Sequence, residues 1–412
     1  MERLSCPFCL QQLRPREIDF RCTGRPCGRG NSCPSSLDRR LLQLWQRERL
    51  PPVFDHNGRR KQARCPTCGC PTGVRVCPDC HSQLPRDFGR IPGRSIVVVG
   101  GQSAGKSVYL TVLLHELRHG LGARLAADVT SADDRTVGRF GVGYEQRMYE
   151  DHRLLRPTRW QAAGWNHIEP LAFELAVGKG RPRGSRGREL MLLYDTSGAE
   201  LEASPEERTF LAEQMLAGCL GQAGGILLLL DPWQLPGARQ LATTAVGHQD
   251  GRVAATSAGE VMSRLTEILE ATVRPGRPSP FDKPVAVVLS KLDTVTHALP
   301  DDSPLRRPPT AGPDEAHDAG DEVDVAVRRL LRDWGSPEVA RLLEERYRGA
   351  RYFTVSALGA APASGNRLPA KGIHPARVEE PFLWLLDEVV AAPRRLPRRR
   401  RNASAGRQGN RS

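Results

Sequence analysis

Residues 96–119 read IVVVGGQSAGKSVYLTVLLHELRH. Ile96, Val97, Val98 and Val99 are a short apolar run, as expected of a strand covered on both faces. Gly100, Gly101, Gln102, Ser103, Ala104, Gly105, Lys106 and Ser107 then match G-x-x-x-x-G-K-[ST] in full, with a helix pattern behind them. The glycines let backbone amides wrap the α- and β-phosphates of a nucleotide, and the helix N-terminus adds its positive dipole. Lys106 reaches the β- and γ-phosphates, and Ser107 offers its hydroxyl to Mg²⁺. The expected contact set runs from Gly100 to Val108.

Outward from this loop, strand and helix patterns alternate. PLAFELAV and ELMLLYD read as a hairpin, and GGILLLLD, KPVAVVLS and RYFTVSAL as further strands. Helices are expected at about 204–218, 257–272, 321–346 and 379–391. This alternation predicts an α/β domain over 95–391, with a mostly parallel sheet flanked by helices. The stretch 119–167 shows no clear strand. Residues 300–320, rich in Pro and acids, read as a loop, and 392–412 as an Arg-rich disordered tail.

Three later motifs follow strands in order. Asp195-Thr196-Ser197-Gly198 supplies a carboxylate for Mg²⁺ and an amide for a γ-phosphate. Ser290-Lys291-Leu292-Asp293 supplies a carboxylate that can accept from guanine N1 and N2 together, a donor pair adenine lacks; the Lys291 stem can lie along the base. Ser356-Ala357-Leu358 supplies an amide for guanine O6. On these motifs the chain resembles the translation-factor-like (TRAFAC) class of P-loop GTPases, over about residues 95–391. The resemblance implies a Ras-like fold, bound GTP or GDP with Mg²⁺, and a hydrolytic switch. It also implies a switch threonine for Mg²⁺, for which Thr158 is taken over Thr130 and Thr136. Serine at 290 departs from the usual Asn or Thr. Ala199 stands where such enzymes carry a water-orienting Gln. Slow intrinsic hydrolysis is therefore expected, with Lys106, Thr158 and Glu200 as catalytic candidates. Arg156 and Arg159 are further cations near Thr158.

The chain has 412 residues and eleven Cys, ten of them within the first 80. Clustered Cys without a secretion signal read as metal ligands. Cys65-x2-Cys68 and Cys77-x2-Cys80 predict one tetrahedral zinc site over 65–85. Cys6-x2-Cys9 opens a second over 1–36. Its remaining ligands come from Cys22, Cys27 and Cys33, of which Cys22 and Cys27 are taken; Cys70 and His81 are spare. Residues 37–64 read as a short amphipathic helix on Leu37, Leu41, Leu44 and Trp45, then a linker. A cysteine-rich front with CPFC and FRC segments is similar to the bacterial double-GTPase group, which is associated with conflict or signalling systems. Cys219 reads as a buried hydrophobe.

The net charge is +13. Residues 1–90 contribute +9 and 394–412 contribute +8, which leaves 91–393 at −4. Basic ends admit a nucleic acid or an acidic partner. The alternatives are thus a nucleic-acid-associated zinc-ribbon protein or an ATPase of the same fold. Only Phe8 and Phe20 interleave with basic residues between Cys6 and Cys33, and no aromatic lies between Cys65 and Cys80. Base stacking therefore has little to work with, and a protein partner of the zinc modules or switch regions is favoured. The longest apolar runs, such as Ile226–Leu230, fall far short of the roughly 20 residues of a membrane span. A soluble, cytoplasmic protein is the expectation.

Overall fold

In the computed structural model, the described residues are 4–391 except 28–31, 45–48, 120–126, 157–168, 178–186, 204–209, 245–255, 274–278, 308–312 and 348. Thr158, Arg159, Trp45 and the 392–412 tail lie outside them.

The main sheet has seven strands: β1 Gly93–Gly100, β2 Ala127–Ser131, β3 Leu171–Val177, β4 Gly187–Asp195, β5 Gly225–Leu230, β6 Pro284–Leu289 and β7 Gly349–Thr354. Their spatial order is β2-β3-β4-β1-β5-β6-β7. From β4 to β7 every pairing is parallel; β2–β3 and β3–β4 are antiparallel. The expected hairpin is present, with Leu171 opposite Leu193.

Alternation along the strands divides the core in two. Val97, Val99, Leu228, Leu230, Val285 and Val287 face one side. Ile96, Val98, Leu227, Leu229, Ala286 and Val288 face the other. Both rows are buried, which is why the strands read as continuous apolar runs. Helices α1 Lys106–His119, α2 Val137–Glu150, α3 Phe210–Gln222, α4 Pro236–Thr244, α5 Ala258–Glu270, α6 Pro313–Asp333, α7 Pro337–Arg346 and α8 Glu380–Ala391 surround the sheet. Helix α5 shows how the local code works. Ser257 accepts from the Glu260 amide and Glu260 reaches back to the Ser257 amide. Val261, Met262, Leu265, Ile268 and Leu269 then form its buried stripe.

The structure corrects several expectations. The stretch 119–167 contains strand β2 and helix α2. Helix α2 has wide, i→i+5 hydrogen bonding, includes the poor helix formers Gly138, Gly141 and Gly143, and buries Phe140 and Met148. The expected helix at 321–346 is two helices, broken at Gly335 (φ +80°) and restarted by Pro337. Residues 313–320 of the expected loop belong to α6. The described part of 37–50 has a single turn, Leu41–Gln43; Ser36–Leu37 and Arg49–Leu50 pair as short strands instead.

The two cysteine segments are one interleaved module. Asp19–Arg21 pairs with both Val53–Phe54 and Arg75–Val76. The module packs on the main domain, and Cys6, Phe8, Leu13 and Ile18 share a continuous core with one face of the sheet.

Candidate functional site

The C-terminal ends of β1, β4, β5 and β6 converge on the Gly100–Ser107 loop. Lys106 is buried, and its Nζ donates to the carbonyls of Gly100 (2.9 Å) and Gly101 (2.7 Å). Burial pulls its pKa down to about 8, against the charges of Asp195 and Glu202. Ser107 Oγ donates to Asp195 Oδ2 at 2.6 Å. Asp195 is 1% exposed, and its other oxygen, Oδ1, is buried with no hydrogen-bond partner among the described residues. Gly198 packs directly on the loop: a Cβ there would lie 2.5 Å from the Gln102 nitrogen and the Gly101 carbonyl. The loop offers amides to an anion, and Ser107 with Asp195 offers hard oxygens to a divalent cation.

At the neighbouring strand ends, Ser290 donates from Oγ to the Leu230 carbonyl at 3.1 Å. Lys291 adopts a left-handed backbone (φ +51°). Its stem passes near Gly105, and its Nζ meets Asp231 Oδ2 at 2.7 Å. Asp231, at the end of β5, was not anticipated as the partner of Lys291. Asp293 Oδ1 accepts from Ser356 Oγ at 2.5 Å, and the Gly359 amide donates to the same hydroxyl at 2.9 Å. The Ser290–Asp293 and Ser356–Leu358 segments are therefore brought together, with Ala357 and Leu358 half-buried beside them.

A carboxyl that sequence reading did not single out, Glu202, meets the loop. The Gln102 amide donates to Glu202 Oε1 at 2.6 Å. Glu200 and Glu202 both lie on the one-turn helix Ala199–Glu202. Burial raises the Glu200 pKa, and the charge of Arg264 on α5 opposes that rise. Thr136 is buried, and its Oγ1 accepts from the Ala172 amide. Arg156 is exposed. Sequence reading also missed Tyr144 and Arg139 of α2. Tyr144 Oη donates to Asp195 Oδ2 at 3.0 Å, and Arg139 donates to Tyr144 Oη at 3.2 Å. No motif marks them.

Eight thiols form two groups, Cys6/Cys9/Cys77/Cys80 and Cys22/Cys33/Cys65/Cys68. This corrects the expected ligand sets. Each Cys-x2-Cys pair joins cysteines from the other segment, and Cys33 takes the place assigned to Cys27. Cys27 is disulfide-bonded to Cys70. The interleaving follows from the sheet that pairs Asp19–Arg21 with Arg75–Val76. The Sγ–Sγ separations are 3.8 Å for Cys6–Cys80 and Cys9–Cys77, 3.6 Å for Cys22–Cys68 and 3.7 Å for Cys33–Cys65. A tetrahedron with Zn–S bonds of about 2.3 Å has edges of about 3.8 Å. Both groups therefore fit a zinc ion held by four thiolates, with no open coordination position. Spare His81 is not a ligand: its Nδ1 meets Asp38 at 2.9 Å, and Arg21 holds the same carboxylate. Cys219 is buried, as expected.

No protein-family model matches the chain. It is similar to a curated protein of Mycolicibacterium smegmatis (strain ATCC 700084 / mc(2)155) named "Putative ESX-1 scaffolding and assembly protein SaeC". The two are 29% identical over 336 residues, which span 76% of this chain and 79% of that protein. Among the described residues, no helix is long and apolar enough to cross a membrane.

Proposed function

We propose that this chain is a P-loop protein with a Ras-like domain that binds GTP with Mg²⁺, hydrolyses it slowly and uses its nucleotide state to control a protein assembly. The observation that carries this reading is the Asp195 carboxylate. It is buried beside Ser107 at the start of α1, with one oxygen on the Ser107 hydroxyl and the other unpartnered. A buried anion so arranged is costly on its own, and a hard cation relieves it. Ser107 and Asp195 would hold Mg²⁺, which when bound offsets charge on the β- and γ-phosphates. Lys106 and the loop amides hold those phosphates, and Gly198 brings its backbone against them.

Guanine selectivity rests on Asp293. Ser356 holds one of its oxygens, which orients the carboxylate for a base with adjacent N–H donors. Lys291, tethered to Asp231, lays its stem beside Gly105 where a base can stack. Ala199 cannot orient a water, which supports slow turnover. The two zinc sites are structural, since four thiolates close each one. A protein partner is supported by the resemblance to a protein described as a scaffolding and assembly protein.

The test is calorimetry of GTP, GDP and ATP with Mg²⁺, on wild type and Asp293→Ala. Guanine-selective binding that the substitution removes is expected. Equal binding of ATP, or an Asp293→Ala protein with unchanged selectivity, would overturn the guanine assignment.

A further inference from the structure

Helix α2 links a cation, Arg139, to Asp195 through Tyr144. Arg139 donates from one nitrogen to Tyr144 Oη, and its guanidinium carbon lies 5.6 Å from the centre of the Tyr144 ring. Another nitrogen donates to the Glu169 backbone carbonyl. Among the described residues, no carboxylate forms an ion pair with it. Tyr144 Oη in turn donates to Asp195 Oδ2, the oxygen that also takes the Ser107 hydroxyl. Burial works against the Arg139 charge, yet Tyr144, Asp195 and Glu169 hold its pKa above the ordinary value. Arg139 thus reaches Asp195 only through the Tyr144 hydroxyl and makes no direct ion pair among the described residues, which leaves its charge available to an anion bound beside Asp195.

We propose that Arg139 is the charge-stabilising residue for GTP hydrolysis in this chain, donating to the terminal phosphate, with Tyr144 as the residue that positions it. This rests on the nucleotide reading above. It supplies from α2 what Ala199 cannot. In the step, a water oxygen forms a bond to Pγ while the bond from Pγ to the β–γ bridging oxygen breaks. The electron pair of that bond stays on the β-phosphate of GDP, and the water's protons leave with inorganic phosphate and solvent. Arg139 offsets the negative charge on the departing oxygens. An arginine supplied to such a site accelerates phosphoryl transfer by about 10³–10⁵-fold.

The experiment uses the full zinc-loaded chain. Single-turnover release of phosphate from GTP is measured together with GDP affinity and with binding of GDP–aluminium fluoride, a transition-state mimic. Arg139→Ala is expected to slow turnover by about 10²-fold or more. It should lose the aluminium fluoride complex and keep GDP affinity within about threefold of wild type, and added guanidinium ion should restore part of the rate. Tyr144→Phe keeps the ring but removes a donor from Asp195, so it should slow turnover less and lower the Mg²⁺ concentration needed for half-maximal rate. If Arg139→Ala fails to fold by circular dichroism, Arg139→Lys and Tyr144→Phe carry the test. Wild-type turnover in the Arg139 variant, or a wild type that binds GTP and never cleaves it, overturns the proposal and leaves GTP binding standing. A wild type that binds no GTP takes down the nucleotide reading and this proposal together.

Discussion

Two side chains at the loop carry opposite charges into little water. Lys106 must be protonated to serve a triphosphate, and in the free protein burial holds its pKa near 8. Below that pH the lysine is already charged, so binding takes up no proton through it. Above that pH each binding event takes one up, and GTP affinity should fall by up to about tenfold per pH unit. Titrations between pH 7 and 10 check this; Asp195, Glu202 and Lys291 are the charged groups that face Lys106. The same shift acts on folding with the opposite trend. The unfolded lysine keeps its proton to about 10.5, so the burial penalty is complete below about pH 8 and fades as the pH rises to 10.5. Glu202 occupies a loop amide that a phosphate would need. Glu202→Gln removes that charge and should tighten GTP binding by about fivefold or more, given the roughly 1.5–3 kcal/mol of a charged hydrogen bond. Unchanged or weaker affinity in calorimetry would show that the carboxylate does not compete.

At the scale of elements, legibility depended on pattern. The parallel strands were readable because both of their faces are buried, and α5 because its capping box and stripe agree. The Gly100–Ser107, Asp195–Gly198 and Ser290–Asp293 segments were readable because each follows such a strand. Helix α2 was not, since Gly138, Gly141 and Gly143 argue against a helix, and with it went Tyr144 and Arg139. Glu202 was not, because a one-turn helix decides which of two nearby carboxyls meets the loop. The metal pairing turned on strand contacts between residues far apart in sequence, Asp19 with Val76 and Phe20 with Arg75. That pairing predicts different outcomes for two adjacent cysteines. Cys33→Ser should lose one of two zinc ions by elemental analysis, whereas Cys27→Ser should keep both. The reverse result would restore the ligand set read from spacing.

Over the whole molecule, the cysteine-rich module is part of the sheet's own core. Tyr194, the residue before Asp195, donates from Oη to the Pro7 carbonyl at 3.2 Å, inside the Cys6–Cys9 turn. Gln222 Nε2 donates to the Leu10 carbonyl at 2.8 Å, and Leu10 fills the space above Gly218. The Arg86 amide donates to the Ala132 carbonyl beyond β2. A metal held by Cys6, Cys9, Cys77 and Cys80 thus fixes a turn that bears on the strand carrying Asp195. Chelation should lower the melting temperature of the entire chain in one cooperative transition and weaken GTP binding, because metal binding is folding energy for so small a module. Two separate calorimetric transitions, with the second at the metal-loaded temperature, would show that the module is only appended. Leu10→Ala should destabilise the docked state by about 1–3 kcal/mol without loss of zinc.

The parallel strands from Gly93 to Thr354, the glycine loop and the concentration of cysteines in the first 80 residues were determined by sequence alone. Each depends on residue types at short spacing, where backbone geometry leaves little choice. Which thiols share a metal, which carboxylate meets the loop and which helix brings a cation to Asp195 were decided only in three dimensions. Those choices depend on contacts between residues distant in the chain, such as Asp19–Arg21 with Arg75–Val76 and Tyr144 with Asp195. Local spacing carries no information about such contacts, because the energy that selects them comes from packing the module and α2 against the sheet.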